Sequence, residues 1–176
     1  MKFIPLALAL ALLAATPVLA GPQDPSRFDP IRYSGQKAVY HFNFATPEQG
    51  MHALKYLRNH VKVLSEFGDG KPQHIAVVTQ GNELHAFARE NAAAFPEVYN
   101  ELKELKEQGV DFRLCRNAAR TRGYKPESFY DVFTVVPAAV AEITRLQNEG
   151  YGYIHPELSP PVTRDEMAKQ RPELSM

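Results

Sequence analysis

Cys115 is the only cysteine of the chain, and three of the next seven residues, Arg116, Arg120 and Arg122, are arginines, with Asn117 between them. A thiol attacks or ligates as its thiolate, a form favoured by nearby cations and by the N–H groups that open a helix. If a strand ends at Cys115 and a short helical segment covers Asn117 to Arg122, these residues meet the conditions for an activated nucleophile. The same residues serve structure equally well. A free cysteine commonly ends a strand as a small buried hydrophobe, Asn is a frequent helix cap as well as an anion donor, and three arginines also make a solvated basic face or an oligomer contact.

The histidines add two partners. His85 and His155 each follow an expected strand, where they can approach Cys115 as base or ligand. His52 and His60 share one expected helix, about 80° apart around its axis and about 12 Å along it, too far for one ion. His41 and His74 open strands or sit early in them, at the end away from the expected site. No His-Glu-x-x-His, paired-cysteine or calcium-loop spacing is present, and no Gly-x-Gly-x-x-Gly follows the first strand, so neither metal nor nucleotide cofactor is expected. Glu83 is the one acidic side chain near a strand end and reads as a solvated acid at a helix start. A single cysteine excludes an intramolecular disulfide and a four-thiolate centre. The balance of 20 Lys and Arg against 20 Asp and Glu lacks the signature of a general nucleic-acid binder.

The elements that must position these groups can be read from the pattern. Lys2 followed by an uncharged apolar stretch from Phe3 to Leu19 has the form of a signal peptide with cleavage after Ala20, implying a periplasmic or secreted protein with no membrane span after cleavage. Residues 21–36, punctuated by Pro22, Pro25 and Pro30, read as a flexible leader, and residues 157–176 as a Pro-rich charged tail with a short helix at Arg164 to Gln170. Between them, residues 37–156 alternate strands and helices. Strands are expected at Val39–Phe44, His74–Thr79, Val110–Cys115, Asp131–Val136 and Tyr151–Ile154.

The first helix begins at Thr46, with Pro47 and Gln49 completing a capping box, and turns Gly50, Leu54, Leu57, Val61 and Leu64 inward before Gly68 ends it in the left-handed conformation. Further helices are expected at Asn82–Glu90, Pro96–Gln108 and from Pro137 to Gly150, the last with Val140, Ile143 and Leu146 inward. This alternation calls for one α/β domain, a mostly parallel five-stranded sheet flanked by helices. In such sheets chemistry collects at the carboxyl ends of the strands, here Asn43 and Phe44, Gln80-Gly81-Asn82, Cys115-Arg116-Asn117 and His155. Phe129, Tyr130 and Phe133 serve either the core or a subunit interface.

The segment from Val110 to Gly123, VDFRLCRNAARTRG, resembles the cysteine segment of the DsrE/DsrF family, which includes the TusD-type sulfur-relay subunits: apolar alternation, a cysteine, a small-residue basic turn, then glycine. Val135-Val136-Pro137-Ala138-Ala139-Val140 and Gly150-Tyr151-Gly152-Tyr153-Ile154 resemble an exported branch of it. The resemblance spans roughly residues 38–156. It implies a parallel five-stranded sheet, assembly into homotrimers or hexamers, and a cysteine, Cys115, that carries sulfur as a persulfide between donor and acceptor proteins. Export separates such a chain from cytoplasmic relay partners, and an oxidising compartment threatens a solitary thiol. Two functions follow for the same fold: a persulfide carrier acting through Cys115, or a non-catalytic oligomeric binding protein whose cysteine loop holds a small anion or a protein partner.

Overall fold

The structure, a computed structural model, describes residues 21–159 and 161–174, so the expected signal peptide lies outside the described residues. The described residues fall into two units that divide after Pro30. In the first, residues 21–30 are exposed and include a turn in which Asp24 N–H bonds the Gly21 carbonyl at 3.0 Å.

The second unit holds five strands, β1 Lys37–Phe42, β2 His74–Thr79, β3 Val110–Cys115, β4 Phe133–Val136 and β5 Gly152–Ile154. They form one sheet in the order β4-β3-β2-β1-β5, every pair parallel. This is the expected α/β architecture. Strands two to four are added outward from β1 in one direction. The last crossover then returns to the opposite edge and sets β5 beside β1. A crossover of fixed hand that reverses direction must place its helix on the other face, and the core divides accordingly.

Helices α1 (Pro47–Phe67), α2 (Leu84–Phe87) and α3 (Val98–Glu107) share a core with Tyr40, Phe42, Val77, Phe112 and Leu114. Helix α5 (Ala139–Asn148), which follows the six-residue α4 (Arg116–Thr121), packs Ala139, Ile143 and Leu146 against Val39, Ala76, Val78 and Cys115 from the opposite face. Strand alternation therefore assigns Cys115 and Arg113 to the α5 side and Leu114 and Phe112 to the other. A tail helix, α6 (Arg164–Gln170), starts with a capping box at Thr163 and Glu166.

Helix α1 starts as its sequence dictates: the Thr46 hydroxyl accepts from Gln49 N–H and the Gln49 side chain accepts from Thr46 N–H. Its other end differs from the expectation. Gly68 is extended, with φ −73° and ψ 158°, and its glycine requirement is steric: a Cβ there would lie 2.2 Å from the Leu64 carbonyl oxygen. The chain leaves the helix extended because Tyr33 pairs with this segment, Tyr33 N–H to the Phe67 carbonyl and Asp69 N–H to the Tyr33 carbonyl, each 2.9 Å. That pairing also shortens the expected leader, since Tyr33 and Gln36 are tied to the domain.

The helix expected over residues 82–90 is only the single turn of α2 followed by a 3-10 turn at Arg89–Asn91. Val140 is 66% exposed, and Ala139 takes the inward position because the helix starts two residues after Pro137. Phe129 and Tyr130 are buried, and Phe133 packs on Phe87 and Phe112, so this aromatic group belongs to the chain's own core.

Between β3 and α5 lies a line of alternating charge. Arg113 bonds Asp111 and Glu142, and Arg145 bonds Glu142 and Glu149. The bonded Arg145 guanidinium, aided by Arg113, holds the Glu142 carboxyl below its ordinary range against the opposing effect of burial. Because the folded value is depressed, this contribution is complete above the unfolded carboxyl pKa of about 4.3 and is lost as pH falls through the lower folded value. Glu142→Gln is therefore expected to cost about 1–2 kcal/mol at pH 7. In urea titrations repeated at decreasing pH, the gap from the parent should close below about pH 4; a constant gap would rule out the ionic origin.

Candidate functional site

The carboxyl ends of β1 and β2 are joined by a carboxylate. Glu83 has no exposed surface. Its Oε1 accepts from the Thr79 hydroxyl at 2.5 Å, Gly81 N–H at 2.8 Å and Gln80 N–H at 3.2 Å, while Oε2 accepts from Phe44 N–H at 2.9 Å. Every partner donates, so both oxygens are satisfied and three backbone donors of the two strand-end loops are paired at once. The fit leaves no room. A Cβ on Gly81 would meet Glu83 Oε2 at 2.2 Å and Phe44 N at 2.3 Å, and one on Gly50 of α1 would meet the Glu83 Cβ at 2.2 Å. The expectation of a solvated acid fails because the preceding turn folds the side chain back under the loops.

Beside this knot the loops diverge into two groups. At the junction of β1 and β5, His41 uses one ring nitrogen toward Tyr153 Oη at 2.7 Å and the other toward Gln80 Nε2 at 2.7 Å. His155 Nδ1 bonds the His41 carbonyl at 2.9 Å, and its ring stacks on Phe44. Partial burial and then the neighbouring His155 push the His41 imidazole down, while Glu83 pulls it the other way. His41 was expected at the wrong end of its strand. Pairing in register with β2, Lys37 opposite His74, starts β1 two residues earlier than the apolar run, so His41 is its penultimate residue.

The second group lies at the end of β3. Cys115 caps α4, with Sγ 3.4 Å from Ala118 N–H, and is 3% exposed among Val39, Ala76, Val78 and the inner residues of α5. Arg116, Asn117 and Arg120 are exposed. Arg122 turns back: its Nε donates to Asn82 Oδ1 and its Nη1 to the Ala118 carbonyl, both at 3.0 Å. His85 bonds Tyr124 Oη at 2.8 Å, and Asn91 donates to the same hydroxyl at 3.1 Å. The structure thus gathers Cys115, Arg116, Asn117, Arg120 and Arg122 on one short segment but pairs both expected bases elsewhere. His155 follows β5, three strands from β3 in the sheet order, on the order of 14 Å at ordinary strand spacing. The hydrogen-bond donor to the sulfur is Ala118 N–H, not an imidazole.

A scan against family models matches residues 31–156 to the DsrE/DsrF-like family. The chain belongs to that family. Among solved structures, this DsrE/DsrF-like chain is similar to the protein of unknown function MTH1491 from Methanobacterium thermoautotrophicum, with 26% identity and a TM-score of 0.56 over 69% of this chain and 99% of that one. No match was found among curated proteins.

Glu83 is the residue of this DsrE/DsrF-like site that sequence reasoning missed, and its signal was present. Thr79, Gly81 and Glu83 alternate across a strand end, a spacing that lets a carboxylate reach back to the loop N–H groups. Glu83→Gln places an amide donor against a backbone donor and is expected to lower stability by about 2–3 kcal/mol. The urea midpoint should fall accordingly, with the exposed Glu90→Gln unchanged as control. Equal midpoints for the two variants would show that the carboxylate is dispensable.

Proposed function

We propose that this protein is an exported sulfur carrier that holds sulfur as a persulfide on Cys115 and works as a homotrimer or hexamer. The observation that carries the reading is the setting of the thiol: Sγ ends the β3 strand at the opening of α4 and receives the Ala118 N–H at 3.4 Å. Membership of the DsrE/DsrF-like family supports it. Arg116 and Arg120 lie exposed on α4, and Asn117, Arg120 and Thr121 line a shallow cavity of about 330 Å³. Neither arginine has an ion-pair partner among the described residues, so both are free to meet an anionic donor. Export rests on the apolar stretch that opens the sequence.

The transfer is an exchange at sulfur. The Cys115 thiolate attacks the outer sulfur of a donor persulfide, the donor S–S bond breaks, the donor leaves as its thiolate, and a new S–S bond forms on Cys115. An acceptor thiolate then takes the outer sulfur by the same displacement, restoring Cys115. No net oxidation occurs, and no metal or organic cofactor takes part.

The 3% exposure of Cys115 favours a second reading, a non-catalytic oligomeric protein in which the thiol is core and the α4 surface holds a small anion or a partner. Intact-mass analysis after brief incubation with glutathione persulfide separates the two. A carrier gains one sulfur, loses it to excess thiol, and gains none as Cys115→Ser; its thiol is alkylated by iodoacetamide in the native state. A protein that stays unmodified, and is alkylated only after denaturation, is the binding protein.

A further inference from the structure

Away from both strand-end groups, a cavity of about 340 Å³ opens between α1 and the β1–β5 edge of the sheet. Its size is that of a site for one small ligand. Three tyrosines contribute to the wall. Tyr40 is 1% exposed, Tyr56 stands edge-on to it with ring centroids 6.4 Å apart and planes at 67°, and Tyr33 closes one side, held there by its pairing with the end of α1.

The polar groups in the wall sort into two kinds. One kind is already paired: Tyr40 Oη meets His60 Nδ1 at 2.8 Å, and His60 Nε2 meets Gln36 Oε1 at 2.9 Å. With Gln36 Oε1 accepting, His60 carries a proton on Nε2, and its Nδ1 faces the Tyr40 hydroxyl, which can donate to it. Burial lowers the His60 pKa and so favours the neutral imidazole. The other kind is unpaired. Asn59 and the Tyr56 hydroxyl make no side-chain hydrogen bond within the described residues. No Lys, Arg, Asp or Glu lines the cavity.

We infer that this cavity is a binding site for a small uncharged planar ring bearing an amide or carbonyl group, with the exposed Tyr33 and Tyr56 rings packing on the ring and Asn59 and Tyr56 bonding its polar substituent. The absence of charge in the wall excludes anions and cations, which would lose hydration without compensation. Ring-on-ring contact selects a flat π-system over a saturated one. The site is independent of Cys115, and nothing in the sulfur chemistry bears on it.

The test is a two-dimensional amide NMR titration of the full chain with millimolar benzamide, the affinity range of so small a ligand. Benzoate, cyclohexanecarboxamide and glucose serve as comparisons. The inference expects saturable shifts confined to residues around 33–36, 56–64 and 154, weakened about tenfold in Tyr56→Ala and in Asn59→Ala. Both substitutions are at exposed positions, and the variants' unperturbed spectra verify the fold. Absent or scattered shifts, shifts unchanged in both variants, or equal binding of benzoate, cyclohexanecarboxamide or glucose would each overturn it.

Discussion

The Glu83 carboxylate is the constraint around which the functional end of this molecule is arranged. A parallel sheet leaves the last N–H groups of its strands without ladder partners just where loops begin, and buried backbone donors must be paired. Here one side chain pairs three of them, from Phe44, Gln80 and Gly81, and takes the Thr79 hydroxyl as well. Backbone bonds extend the same join, Gln80 N–H to the Phe42 carbonyl and Asn82 N–H to the Phe44 carbonyl. The loops after β1 and β2 are thereby fixed to each other, and two glycines, Gly81 and Gly50, are required by the closeness of the packing.

Sheet order then decides which groups meet. The strand order reverses between β1 and β5, the place where an open α/β sheet parts its loops. His41, Tyr153 and His155 converge at that point, whereas Cys115 lies two strands away on β3. An imidazole from the switch point cannot serve the thiol across that span of about 10 Å. What meets the thiol is its own segment, whose Ala118 N–H points at Sγ.

Much of this was legible in the chain. β2 and β3 match their expected bounds residue for residue, β2 because a strand buried on both faces reads as a continuous apolar run and β3 because Val110, Phe112 and Leu114 alternate with Asp111 and Arg113. The capping box at Thr46 marks a helix start that the structure reproduces, and the tail helix covers the expected Arg164 to Gln170. What was illegible depended on pairing. The start of β1 is set by its neighbour's register and not by its own composition, which hid His41. Gly68 looks like a left-handed helix stop until Tyr33, far upstream, is seen to hold the chain extended there. Glu83 was misread because burial of an acid is a property of the surrounding donors, and those come from a loop nearly forty residues away as well as from its own.

The carboxylate and the cysteine segment are mechanically continuous. Asn82 sits between Gly81 and Glu83, so its position is dictated by the knot; its Nδ2 donates to the Ala45 carbonyl at 2.8 Å, and its Oδ1 accepts from Arg122 Nε at 3.0 Å. Arg122 in turn bonds the Ala118 carbonyl, whose own residue supplies the N–H that meets Sγ. Helix α4 is too short to be stable by itself. It is held at one end by the sulfur and at the other by Arg122 and the Tyr124 N–H to Ala119 carbonyl bond. Sγ is also closed in by Val39, Ala76, Val78 and the inner residues of α5, so whatever reaches it must part that packing. Glu83 and the cysteine segment are thus joined through Asn82 and Arg122, by a carboxylate that never touches sulfur.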